Sequence, residues 1–120
     1  MVSLLGGLPV LVLTTTGARS KQKRDVPLIG IPDGNRIIVI ASNFGKSYHP
    51  AWYYNLSADP EVEVTVGRRK GKYIARDAVD GEYDAYWEKA VSYFGGYDAY
   101  KKRSGGWKIP VVVLTPVEEV

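Results

Sequence analysis

The sequence predicts a mainly β, α+β fold: about six strands in a small antiparallel barrel, with two or three helices over its openings. Three observations carry that expectation. Glu61-Val62-Glu63-Val64-Thr65-Val66 alternates without a break, as a strand with one buried and one solvated face must. Asp33-Gly34-Asn35 lies between two apolar runs, where it serves as a hairpin turn. Tyr83, Tyr86, Trp87, Ala90, Val91 and Phe94 recur at helical spacing, and the connections between elements are short.

The elements follow in order. Leu8 to Thr16 is rich in Val, Leu and Thr and reads as a buried first strand. A glycine turn at Gly17 and a basic loop lead to a second strand over Val26 to Pro32 and, past the hairpin, a third over Arg36 to Ala41. Pro50 suits the first position of a short helix running through Leu56, with His49 or Ser47 at its start and Asp59-Pro60 at its end. After the 61–66 strand, Gly67 to Gly71 is expected as a basic turn, and Lys72 to Val79 as the next strand. Asp80 is the expected N-cap of the long helix, with Glu82 complementing its dipole and Gly95-Gly96 stopping it. Tyr97 to Arg103 forms a further turn or two of helix. Ser104-Gly105-Gly106 then leads into a last strand from Trp107 to Thr115.

At 120 residues the chain accommodates one domain with a single core, residues 1–120. No cysteine is present, which excludes disulfides, thiolate nucleophiles and cysteine-ligated metals. A single histidine leaves no basis for a histidine metal cluster, and no metal is expected. The net charge is +3 and the pI about 9.1, which favours an anionic ligand but falls short of a nucleic-acid binder. No apolar run reaches the ~18 residues of a membrane span, and residues 1–13 lack the basic start of a signal peptide. A cytoplasmic location is the default.

Two segments concentrate the chemistry. Thr14-Thr15-Thr16-Gly17-Ala18-Arg19-Ser20 runs into Lys21-Gln22-Lys23-Arg24, placing four cations within six residues beside the hydroxyls of Thr16 and Ser20. Backbone N–H groups around a glycine turn can cradle an anion, and arginine can grip phosphate with two hydrogen bonds. The same charges would equally keep a solvated hairpin soluble. Ala41-Ser42-Asn43-Phe44-Gly45 then leads through His49-Pro50-Ala51-Trp52-Tyr53-Tyr54-Asn55-Leu56. Small residues there would let a flat ring approach the backbone, or simply join a strand to a helix. Trp52 suits a core anchor, Asn55 a cofactor bond or a helix cap, and His49 local bonding at the helix start. Arg68, Arg69, Lys70 and Lys72 form a second basic patch, read as a solvated turn.

From about Leu8 to Pro116 these motifs resemble the deazaflavin-dependent nitroreductase family. Its members bind coenzyme F-420, an 8-hydroxy-5-deazaflavin, in a single-domain, FMN-binding-like split β-barrel. The resemblance implies that Ala18, Arg19, Ser20 and Arg24 hold the phosphate and oligoglutamate tail. It extends the cofactor contacts along Asp25, Val26, Pro27, Leu28 and Ile29. Ile40, Ala41, Ser42 and Asn43 would meet the ring, and Ala51, Trp52, Tyr53, Tyr54 and Asn55 would line the site. Tyr97 and Tyr100 would wall the pocket, Tyr97 touching the cofactor, and with Ser42 they are the implied catalytic groups. The chain departs from relatives at Ala18, where a cation is frequent, and at Lys21 and Phe44, where glycine is common. Phe94 stands where some relatives have a third tyrosine and Ile29 where an aromatic is frequent, so the pocket is expected to be more apolar. Many relatives also carry a helix ahead of the first strand.

The activity so implied is hydride transfer from the reduced deazaflavin to quinones, nitroaromatics or activated alkenes, with a small-molecule acceptor as partner and a homodimer as one assembly. Two alternatives stand beside it: an FMN-dependent split-barrel reductase, and a protein that binds the cofactor without turnover. A nucleic-acid module is remoter, because the aromatics do not interleave with the cations.

Overall fold

The structure, a computed structural model, describes residues 3–5, 8–43, 48–103 and 108–117. Phe44, Ser47, and the expected loop and strand start at 104–107 lie outside the described residues.

The architecture is organised by the two most apolar strands, β5 (Arg36–Ile40) and β8 (Val111–Pro116). They pair antiparallel, Ile37 opposite Leu114 through Ile40 opposite Val111. Ile38 to Ala41 and Val111 to Leu114 are all buried. Successive side chains on a strand point to opposite faces, so this pair needs cover on both sides. Ile38, Ile40, Val111 and Val113 join one apolar cluster; Val39, Ala41, Val112 and Leu114 join another.

The first cluster is an aromatic layer. It is covered by α2 (Asp80–Tyr93) and α3 (Gly96–Arg103), through Tyr83, Tyr86, Trp87, Ala90 and Tyr97. The second is the interior of the curled sheet. It is filled by Leu11 and Leu13 of β2 (Leu8–Thr16), Val62 and Val64 of β6 (Glu61–Val66), and Ala75 of β7 (Arg69–Asp77). Trp52 and Leu56 of α1 (Ala51–Ala58) close it from outside the sheet.

The sheet has eight strands. Its order is β1-β2-β6-β7-β8-β5-β4, where β1 is Ser3–Leu5 and β4 is Ile31–Asp33; β3 (Lys23–Ile29) pairs with β2 off this path. β3 and β4 lie at opposite ends of the hydrogen-bonded path, yet only Gly30 separates them in the chain. A sheet whose ends are tied by one residue must curl, and the result is the expected split barrel. Gly30 is required there: a Cβ would stand 2.4 Å from Leu11 Cδ2 and 3.1 Å from Ile37 Cγ2.

The expected Val26 to Pro32 strand is therefore two strands with different partners, and Lys23 and Arg24 belong to a strand and not to a loop. With β1, which the sequence pattern missed, this raises six strands to eight. The 8–16 and 61–66 strands fall where expected. The β6–β7 turn is tighter than Gly67 to Gly71, since Val66 already pairs with Arg69 and Gly67 adopts φ +59°. Pro50 is the N-cap of α1 and not its first residue, with extended ψ 155°. Val79 takes the cap position of α2 in place of Asp80, which begins the helix at φ +54°. Gly96 starts α3 and does not lie between helices, because Phe94 already closes α2 through its N–H on Ala90 O. Lys108 to Pro110 are not strand, so the last strand begins at Val111.

Candidate functional site

The turn between β2 and β3 is closed by its own backbone. Gly17 N–H donates to Gln22 O at 2.8 Å, and Lys21 N–H donates to Gly17 O at 3.0 Å. Ser20 Oγ accepts from Gln22 N–H at 3.2 Å. Gly17 sits tightly in the turn: a Cβ there would meet Ser20 Oγ at 2.5 Å and Gln22 O at 3.3 Å, so the Ser20 side chain would have to move. Lys21 adopts φ +60°, a left-handed conformation that glycine takes without strain.

Helix α1 is fastened to this turn. Asn55 Oδ1 accepts from Ala18 N–H at 3.0 Å, and Asn55 Nδ2 donates to Thr15 Oγ1 at 3.1 Å. Asn55 is thus neither a helix cap nor free to serve mainly as a ligand; it joins two walls. Between them lies an open cleft of about 980 Å³.

One side of the cleft is formed by Ala18, Arg19, Ser20 and the strand residues Arg24 to Leu28. The other is formed by Ile40, Ser42, Asn43, Ala51, Trp52, Tyr54 and Asn55. Fifteen of the residues expected at a cofactor site therefore meet at one place. Thr15, Gly17 and Pro50 line it too and were missed as individual contacts. Thr15 is legible in principle, since it shares the inward period of Leu11 and Leu13.

The cleft is electrically uneven. Arg19 and Arg24 are exposed, and among the described residues neither forms an ion pair. Lys23, by contrast, reaches Glu63 at 3.7 Å, a carboxylate it shares with Lys70 at 3.6 Å. Asp25 is engaged by Thr14, whose hydroxyl donates to Oδ1 at 2.6 Å. Away from the arginines, Val26, Pro27, Leu28, Ile40 and Trp52 make an apolar strip, with Ala18 and Ala51 leaving room beside it. Asn43, at φ +44°, donates from Nδ2 to Tyr48 O at 3.1 Å and so folds back on the approach to α1.

Five expected site residues are placed elsewhere. Ala41 is fully buried inside the sheet and donates its N–H to Pro110 O. Ile29 pairs with Val10 near the far end of β3. Tyr53 turns away from the cleft and donates its hydroxyl to Asp77 at 2.9 Å, tying α1 to β7. Burial, reinforced by that carboxylate, pushes its phenol up to about 12. Tyr97 is only 5% exposed, packed among Trp87, Phe94 and Tyr100 in the aromatic layer. Burial drives its phenol far above the ordinary range, so it holds its proton tightly. Tyr100 is packed against the same layer. Neither tyrosine lines the cleft; Ile40 belongs to both regions and stands between them.

The profile of the F420H(2)-dependent quinone reductase family matches residues 1–116. The chain belongs to that family. Coenzyme F-420 is the family's cofactor, and its members are oxidoreductases that reduce quinones. An F420H(2)-dependent quinone reductase of Mycobacterium tuberculosis is 36% identical over 113 residues, covering 92% of this chain and 75% of the relative. Among solved structures, an F420-H2 dependent reductase, FDR-A, superposes with TM-score 0.81 at 34% identity, covering 88% of this chain and 93% of its own. A second, described as a domain-swapped dimer, also gives 0.81 and 34%, over 88% and 79% of the two chains. No helix among the described residues is long and apolar enough to cross a membrane.

The residues at the cleft suit the family cofactor. The flat faces of a planar ring match the strip from Val26 to Leu28 with Ile40 and Trp52. The anionic phosphate and tail match two arginines that form no ion pair among the described residues, beside a glycine turn.

Proposed function

We propose that this cleft holds reduced coenzyme F-420 and presents it to a quinone, with nitroaromatics and activated alkenes as further acceptors. The observation that carries the reading is the Arg19–Arg24 rim, which forms no ion pair among the described residues, joined to a cleft with an apolar strip and walled by α1. When bound, the reduced deazaflavin supplies a hydride from ring carbon 5, and the quinone becomes the hydroquinone on taking a proton from solvent.

The protein contributes position and electrostatics. Arg19, Ser20 and Arg24 hold the phosphate and tail. Ser42 offers a hydroxyl where β5 runs out into the cleft, and Asn43 holds the chain back from the ring. Trp52, anchored in the core with one edge on the cleft, fixes the wall against which the ring lies. Tyr97 and Tyr100 act from behind this wall as packing, which leaves solvent as the proton source. A homodimer is the assembly we expect, supported by the similar dimeric chain.

The test is a fluorescence titration with coenzyme F-420 and, in parallel, with FMN. Saturable deazaflavin binding is expected. It should weaken tenfold or more in Arg24→Ala, the size of one or two lost charge-assisted hydrogen bonds at about 1.5–3 kcal/mol each. Oxidation of the bound reduced cofactor on adding menadione then separates a reductase from a carrier. Preference for FMN would keep the barrel and overturn the cofactor assignment.

A further inference from the structure

We propose that Asn55 is the positioning residue for the anion-holding turn: it sets affinity for the cofactor's acidic tail without touching the ring. The ligand half of this rests on the function proposed above; the anchoring half does not.

The hydrogen bonds within the turn, from Gly17 to Gln22, Lys21 to Gly17 and Gln22 to Ser20, tie it only to itself. Its β2–β3 pairing joins it to its own wall, and the Asn55 carboxamide joins it to the opposite one, crossing 37 and 40 positions of sequence to reach Ala18 and Thr15. Both ends of the amide are engaged, one accepting and one donating, so the group fits in a single orientation. Thr15 is fully buried, and its hydroxyl takes this bond as part of its partnering there. Ala18 directly precedes Arg19. Fixing the Ala18 N–H therefore fixes the direction in which the Arg19 backbone leaves β2. The base of the arrangement is rigid as well, since Asp59 N–H closes the helix on Asn55 O. Preorganising a charged loop raises affinity chiefly by removing its ordering cost from the binding step.

Two variants and two measurements test this. In the protein without ligand, the hydrogen-exchange protection of the Ala18 amide should fall about tenfold or more in Asn55→Ala, as expected for a lost hydrogen bond. It should persist in Asn55→Asp, which keeps the acceptor. In titrations, Asn55→Ala should weaken coenzyme F-420 about tenfold while the phosphate-free deazaflavin chromophore stays within about twofold. Equal weakening of both compounds would show that Asn55 meets the ring, and would overturn the proposal. Unchanged Ala18 protection would overturn it too. If the wild-type protein binds neither compound, the cofactor reading falls and the affinity claim with it, while the exchange measurement still decides the anchoring.

Discussion

The aromatic layer under α2 and α3 and the cleft beside α1 are both rich in rings and hydroxyls, yet they are built on opposite rules. In the aromatic layer the hydroxyls of Tyr83 and Tyr86 find partners within the protein. Tyr83 donates to Ile109 O at 2.6 Å, and Tyr86 to Asp33 at 2.7 Å. Asp33 also takes Arg36 at 3.1 Å and Lys89 at 3.4 Å. In the cleft the strongest charges, Arg19 and Arg24, form no ion pair among the described residues, and Val26, Pro27, Leu28, Ile40 and Trp52 line the wall beyond them. Polar groups paired within the protein mark a stabilising region. Deliberate incompleteness beside a cavity marks one that awaits a ligand. Tyrosine content alone does not tell them apart.

The largest effect should come from breaking the aromatic layer. Trp87 is 9% exposed and stacks on Tyr83 with centroids 6.2 Å apart. Trp87→Ala should cost about 3–5 kcal/mol in denaturant unfolding, while the protein that remains folded keeps its affinity for coenzyme F-420. Lost affinity at unchanged stability would reverse the two roles.

A pH series sharpens the same contrast. Asp33 has its carboxyl lowered below the usual range, first by the Tyr86 hydroxyl and then by Lys89 and Arg36, with partial burial opposing. A lowered folded pKa contributes stability that is fully present above the unfolded value, near ~3.9, and is lost as pH falls through the folded value. Unfolding free energy should therefore decline below about pH 4 in the wild type. In Asp33→Asn that part of the decline should vanish, with lower stability at neutral pH.

A smaller change is expected in the cleft turn. Lys21→Gly relieves a left-handed side-chain conformation but loosens the unfolded chain, so a net stabilisation of about 0.5–1 kcal/mol is the upper expectation. A fall in melting temperature would show that the Lys21 side chain matters to the turn. Tyr97→Phe should do least: menadione turnover is expected to stay within about twofold, since the hydroxyl does not reach the cleft. A large drop would return Tyr97 to the chemistry.

The sequence carried much of this. Alternation from Glu61 to Val66, the Gly34 hairpin and the glycine turn at Gly17 are local signals, and local signals survive folding. The barrel closure was not legible, because nothing near Gly30 announces that β3 and β4 will choose different partners. That depends on Leu11 and Ile37 meeting there from distant positions. The segments that the family motifs single out, the basic turn, the end of β5 and α1, meet at one cleft. Tyr53, Tyr97 and Tyr100 lie away from that cleft, and the helical spacing of Tyr97 and Tyr100 fixes a common face but not the surface that face meets. Asn55 was noticed for its chemistry, but its bonds to Ala18 and Thr15 exist only in three dimensions.

The most direct test is amide chemical-shift mapping of the labelled protein during titration with coenzyme F-420. The largest perturbations should fall on Gly17 to Ser20, Arg24 to Leu28, Ser42 and Ala51 to Asn55, with Tyr83 to Tyr100 little affected. Perturbations concentrated on α2 and α3, with the Gly17 turn silent, would contradict the assignment of the cleft.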